Sequence, residues 1–105
     1  MLWRTMAERT EISLQEARTF LALKGRPKSW LSNIEIAELV DGVSPRSIRA
    51  YTLKFVRLGL LDQVELFPRH KYRLAERPEK RNRSYWQRLL AAIEIFGLEH
   101  QGDHA

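Results

Sequence analysis

Between Ser32 and Arg49 the chain spells two helix starts with only a short turn between them. Ser32-Asn33-Ile34-Glu35 fits the Ser-x-x-Glu box, in which serine and acid each satisfy an amide left without a partner in a helix's first turn. Asp41-Gly42 breaks the segment that follows. Ser44-Pro45 then starts another helix, with proline at the first helical position, where its missing N–H costs nothing. A helix, a glycine turn and a second helix within eighteen residues form a helix-turn-helix, and the rest of the chain must fold around that unit.

Two more starts read the same way: Ser13-Leu14-Gln15-Glu16 and Ser84-Tyr85-Trp86-Gln87. The first predicts a helix over Leu14 to Lys24, ended by Gly25, with Leu14, Ala17, Phe20 or Leu21 and Leu23 facing inward. Trp30-Leu31 is an extended entry to the second helix, which is expected to bury Ile34, Ala37 and Leu39 or Val40. The third helix runs from Pro45 to Leu58, with Ile48, Tyr51, Thr52, Phe55 and Leu58 inside and Arg46, Ser47, Arg49, Ala50, Leu53, Lys54 and Arg57 outside. After Gly59 the apolar period shortens towards two. Leu61, Val64 or Leu66, Tyr72 and Leu74 then predict two strands joined by a hairpin tip at Phe67-Pro68-Arg69-His70. Ala75 to Arg83 reads as a charged linker interrupted by Pro78. The last helix, Tyr85 to Leu98, carries Trp86, Leu89, Leu90, Ile93 and Phe96 on one stripe, and the residues after it look frayed. The expected fold class is mainly α with one small β-hairpin. The divisions are 1–76 for the core domain with an N-terminal extension, 77–83 for the linker, 84–99 for the last helix and 100–105 for a flexible tail.

The 105 residues suffice for one modest core, and an apolar fraction of 44% argues for a folded globule. No apolar run approaches the ~18 residues of a membrane span, and no signal-peptide pattern opens the chain, so a cytoplasmic location is expected. Cysteine is absent, which excludes disulfide and thiolate chemistry. The net charge of +5 is uneven: residues 1–43 balance, residues 44–83 carry +7, and residues 84–105 carry −2. A basic block that coincides with one helix and one hairpin has the distribution of a polyanion footprint.

The order helix, helix, helix, hairpin, helix resembles the winged helix-turn-helix family of bacterial DNA-binding regulators. The resemblance covers about Leu14 to Leu74. It rests on Asn33-x-Glu35-Ile36-Ala37-Glu38-Leu39, Gly42-Val43-Ser44-Pro45-Arg46-Ser47-Ile48-Arg49, Leu58-Gly59-Leu60-Leu61 and Lys71-Tyr72-Arg73-Leu74. Ala37 matches the family's small residue at the closest approach of the two helices. The chain departs from the pattern at Val40 to Ser44, one residue longer than the common turn. The resemblance implies that the third helix is a recognition helix and the hairpin a wing.

Double-stranded DNA is therefore the expected partner, with no cofactor. Ser44 and Ser47 add hydroxyls to a helix N-terminus suited to phosphate, Arg46 and Arg49 are set to reach base edges, Ala50 shares their outer face, and Lys54 and Arg57 are set to meet phosphates. Leu53 is expected to pack against a neighbour rather than meet a thymine methyl. Arg69, His70, Lys71 and Arg73 are the wing's candidates. Arg77, Lys80, Arg81 and Arg83 either add phosphate contacts or are solvated.

The last helix's stripe needs a cover. Met1-Leu2-Trp3 with Met6, the first helix, or the same helix of a second subunit can each supply it. The adopted expectation is a homodimer through Trp86, Leu89, Leu90, Ile93 and Phe96, with recognition helices about 34–36 Å apart. No glycine-rich phosphate loop, nucleophile motif or buried carboxylate pair points to an enzyme. His70, His100 and His104 have no ligand partners at metal-site spacing, so no metal is expected. No residue identifies a small-molecule effector. The leading expectation is a small transcriptional repressor at the nucleoid. Replication or partition binding and a protein-interaction module built on Trp3, Trp30 and Trp86 are the alternatives.

Overall fold

The computed structural model describes residues 11–66 and 69–98. Ser13 Oγ accepts the amide of Glu16 and starts helix α1 (Leu14–Lys24), which ends at Gly25. Helix α2 (Asn33–Leu39) has both halves of its box: the Glu35 amide donates to Ser32 Oγ at 3.2 Å and the Ser32 amide donates to Glu35 Oε1 at 3.0 Å. The chain turns at Gly42, whose φ of +77° lies in the region open to glycine. Ser44 then caps helix α3 (Pro45–Arg57) by accepting the amide of Ser47. These three starts and the extended Trp30-Leu31 entry stand as the sequence predicts.

Strands β1 (Leu61–Leu66) and β2 (Arg69–Leu74) pair antiparallel from Leu61↔Leu74 to Leu66↔Arg69. On the other edge of β2, Leu31 and Tyr72 exchange two backbone bonds of 2.8 Å, so the entry to α2 is stitched to the hairpin. The ladder reaches Arg69, which puts Arg69 and His70 inside β2 rather than in the tip. The expected tip residues Phe67 and Pro68 lie outside the described residues, as do Met1-Leu2-Trp3, Met6, His100, His104 and the tail.

The segment expected to be a linker is ordered against the core. Ala75 donates to the Leu60 carbonyl at 2.9 Å, Pro78 is buried, and Pro78–Arg81 forms a helical turn, α4. Gly59, with φ +85°, takes the left-handed conformation that turns the chain out of α3, and Arg81 of α4 lies beside it. The last helix, α5 (Arg83–Ile95), is capped by Asn82 and not by Ser84. Asn82 Oδ1 accepts the amide of Tyr85 at 3.2 Å while its Nδ2 donates to the Leu58 carbonyl at 3.3 Å, so one side chain starts α5 and ties it to the end of α3.

One core joins all of these elements. Phe20 of α1 meets Phe55 of α3 edge-on, with centroids 5.9 Å apart, and Trp86 of α5 at 5.4 Å. Each such pair contributes about 0.5–1.5 kcal/mol beyond its buried area. Leu89 and Ile93 are fully buried in this cluster, and Trp86 and Phe96 pack partly into it. Of the expected dimer stripe, Leu89 and Ile93 are buried in the core of the same chain, whereas Trp86, Leu90 and Phe96 are only half-buried. Leu90 instead lines an open depression with Glu79, Lys80, Arg83, Trp86 and Gln87. Two more expectations change: Leu14 is exposed, and in the second helix Ile36 is buried where the sequence predicts Ile34; of Leu39 or Val40 it is Val40 that is buried, and Ala37 packs partly against the core. The result is a mainly helical, winged-helix-like fold with one two-stranded hairpin.

Candidate nucleic-acid interface

Helix α3 is pinned from behind. Ile48, Thr52 and Phe55 have no exposed surface, and Thr52 Oγ1 donates to Asn33 Oδ1 of α2 at 2.8 Å. With the inner face fixed, the 3.6-residue turn decides what faces out. Arg49, Arg46, Leu53, Arg57 and Ala50 fall within about 100° of one another around the axis. All five are exposed. The stripe from Arg46 to Arg57 is about 16 Å long by the rise of 1.5 Å per residue. Neither Arg46, Arg49 nor Arg57 forms an ion pair with a described residue, and α3 contains no acidic side chain.

At the start of this helix, Ser44 Oγ donates to Ser47 Oγ at 3.2 Å as well as capping the helix. Ser44 is exposed and Ser47 half-buried, so the first-turn hydroxyls sit at the same end as Arg46 and Arg49.

Lys54 departs from its expected place among the phosphate contacts. It lies about 100° around the helix from Leu53, on the side towards α1, and its Nζ donates to both oxygens of Glu16 at 3.0 and 3.2 Å. Glu16 is only 5% exposed, and Tyr85 of α5 donates its hydroxyl to Glu16 Oε2. The acid expected to complete the cap of α1 therefore turns inward, where it joins α1, α3 and α5. Lys54, its side chain 41% exposed, is tied to that buried acid, which leaves Arg46, Arg49 and Arg57 as the unpaired outward cations of α3 among the described residues.

The wing divides in a similar way. Arg69 and His70 are exposed at the outer end of β2, with His70 Nδ1 3.2 Å from Gln63 Nε2. Lys71 reaches back to Glu35 of α2 at 3.3 Å, and Arg73 lies over the Trp30 ring at 4.2 Å from its centroid. Both have structural partners that the sequence reading did not give them. The bond from the Ser32 amide, together with the Ser32 side chain and Lys71, holds the Glu35 carboxyl below its usual value of 4.5. Arg77, Lys80, Arg81 and Arg83 are exposed around α4. Leu53, expected to be packed, is 43% exposed in the middle of the cationic stripe.

No protein-family model matches the chain, and no curated protein matches its sequence. Among solved structures there is a likeness of fold. The crystal structure of RV1404 from Mycobacterium tuberculosis matches with a TM-score of 0.56 at 17% identity, over 95% of this chain and 71% of that one. At this identity the likeness concerns the arrangement of helices and hairpin. Among the described residues, no helix is long and apolar enough to cross a membrane.

Proposed function

We propose that this protein binds duplex DNA through the outward face of α3 and the exposed end of the wing, and acts as a small transcriptional regulator. One observation carries the reading: Arg46, Arg49 and Arg57 share an exposed, acid-free face of a helix whose opposite face is locked into the core. An α-helix, about 10–12 Å across with its side chains, fits a major groove about 12 Å wide, and an arginine fork there bonds O6 and N7 of guanine together. Arg69 and His70 sit on a second projection, available to the sugar-phosphate backbone beside the groove. A transcriptional role carries with it a cytoplasmic, nucleoid-bound location.

The test is a binding titration on duplex fragments from the native locus and on scrambled duplexes of equal length. The wild-type chain should prefer particular fragments. Arg46→Ala and Arg49→Ala should each erase about 1–3 kcal/mol of that preference while leaving residual binding to any duplex. A preference untouched by both substitutions would overturn base reading by α3.

A further inference from the structure

We propose that Leu53 is a specificity residue of this surface, reading the C5 methyl group of a thymine; the assignment rests on the duplex-DNA reading above. Leu53 is one of four large apolar side chains exposed among the described residues, and it alone stands on α3. Its direction is fixed. Thr52, the preceding residue in the chain, is buried and bonded to Asn33, and Phe55 is buried on the same inner side, so Leu53 has no route into the core without unwinding the helix.

Its neighbours on the helix surface define what can cover it. Arg49 and Ala50 lie one turn before it, Arg46 two turns before and Arg57 one turn after. A second copy of the same face would bring six guanidinium groups together, and their repulsion disfavours that contact. A polyanion is attracted instead, and a duplex offers one kind of apolar group on its major-groove edges, the methyl of thymine. Leucine among these arginines therefore matches a mixed surface of phosphates, acceptor edges and isolated methyl groups. Along the axis Leu53 is about 6 Å beyond Arg49, which is roughly two base steps. The thymine should accordingly lie about two pairs from the base that Arg49 contacts.

The experiment uses the full chain and a duplex enriched from a randomised library on that chain. Each thymine of the enriched site is replaced in turn by uracil, which removes the methyl and nothing else. For the wild-type chain, one or two positions should weaken binding about fourfold, the effect of uncovering one methyl. Leu53→Ala should bind the parent duplex more weakly and lose that sensitivity at the same positions. Leu53→Met, which keeps an apolar side chain, should retain part of it. Equal uracil sensitivity in wild type and Leu53→Ala overturns the assignment while leaving DNA binding intact. A lower sedimentation mass for Leu53→Ala overturns it too, by assigning the side chain to contact between copies. Failure of the wild-type chain to enrich any sequence overturns the DNA reading itself, and this assignment with it.

Discussion

Glu16 is the residue whose role changes most between sequence and structure. A Ser-x-x-Glu spacing makes it a cap, and the serine half of that cap is present, yet the carboxylate serves Lys54 and Tyr85 instead. Those partners lie 38 and 69 residues away, beyond the reach of any local pattern. Glu16→Ala should cost about 2 kcal/mol in chemical denaturation, because it leaves a buried tyrosine hydroxyl and a half-buried ammonium without their acceptor. Lys54→Ala should likewise lower stability while leaving the salt dependence of DNA binding unchanged. A reduced salt slope would return Lys54 to the phosphate contacts. Glu35 provides a pH-dependent counterpart. Its folded pKa lies below the unfolded value, so its contribution to stability is present above about pH 4.5 and is lost as the pH falls through the folded value. Glu35→Gln should flatten the acid limb of a plot of melting temperature against pH. An unchanged limb would show that Ser32 and Lys71 do not act on this carboxylate.

At the scale of elements, what was legible in the sequence is what local chemistry decides. Ser13, Ser32 and Ser44 cap their helices because a hydroxyl three residues before an amide is geometrically sufficient. Ser84 has the same spacing and fails. Asn82 also reaches the Leu58 carbonyl, so a tertiary bond selects the earlier start. In α2 the apolar residues Ile34, Ile36, Ala37 and Leu39 occupy nearly every direction of a seven-residue helix, and only packing against α1 and α3 picks Ile36. Reading residues 75–83 as a linker failed for a related reason: the buried residues of this polar segment are Ala75 and Pro78, too few to make a pattern. Gly59→Ala should cost about 1–2 kcal/mol, because its φ of +85° disfavours any side chain. The fall in melting temperature is then about 4–16 °C for a domain of this size. A variant as stable as the parent would mean that the turn relaxes without loss.

For the whole molecule, the candidate site is a consequence of what the core consumes. Phe20, Phe55 and Trp86 interlock α1, α3 and α5, and Leu89 and Ile93 complete the packing that the sequence alone left open to a second subunit. Lys54, Lys71 and Arg73 are tied to Glu16, Glu35 and Trp30. On α3 and the hairpin, what remains outward is a narrow cationic band, the α3 stripe and the end of the wing, with the exposed Arg77, Lys80, Arg81 and Arg83 as a separate group around α4. A titration of the isotopically labelled chain with an enriched duplex, followed through its backbone amide resonances, tests this most directly. The largest shifts should fall between Ser44 and Arg57, with a second group at Arg69 and His70 and little change along Gln87, Ala91 and Glu94. Shifts concentrated on α5 while α3 stays silent would contradict the account.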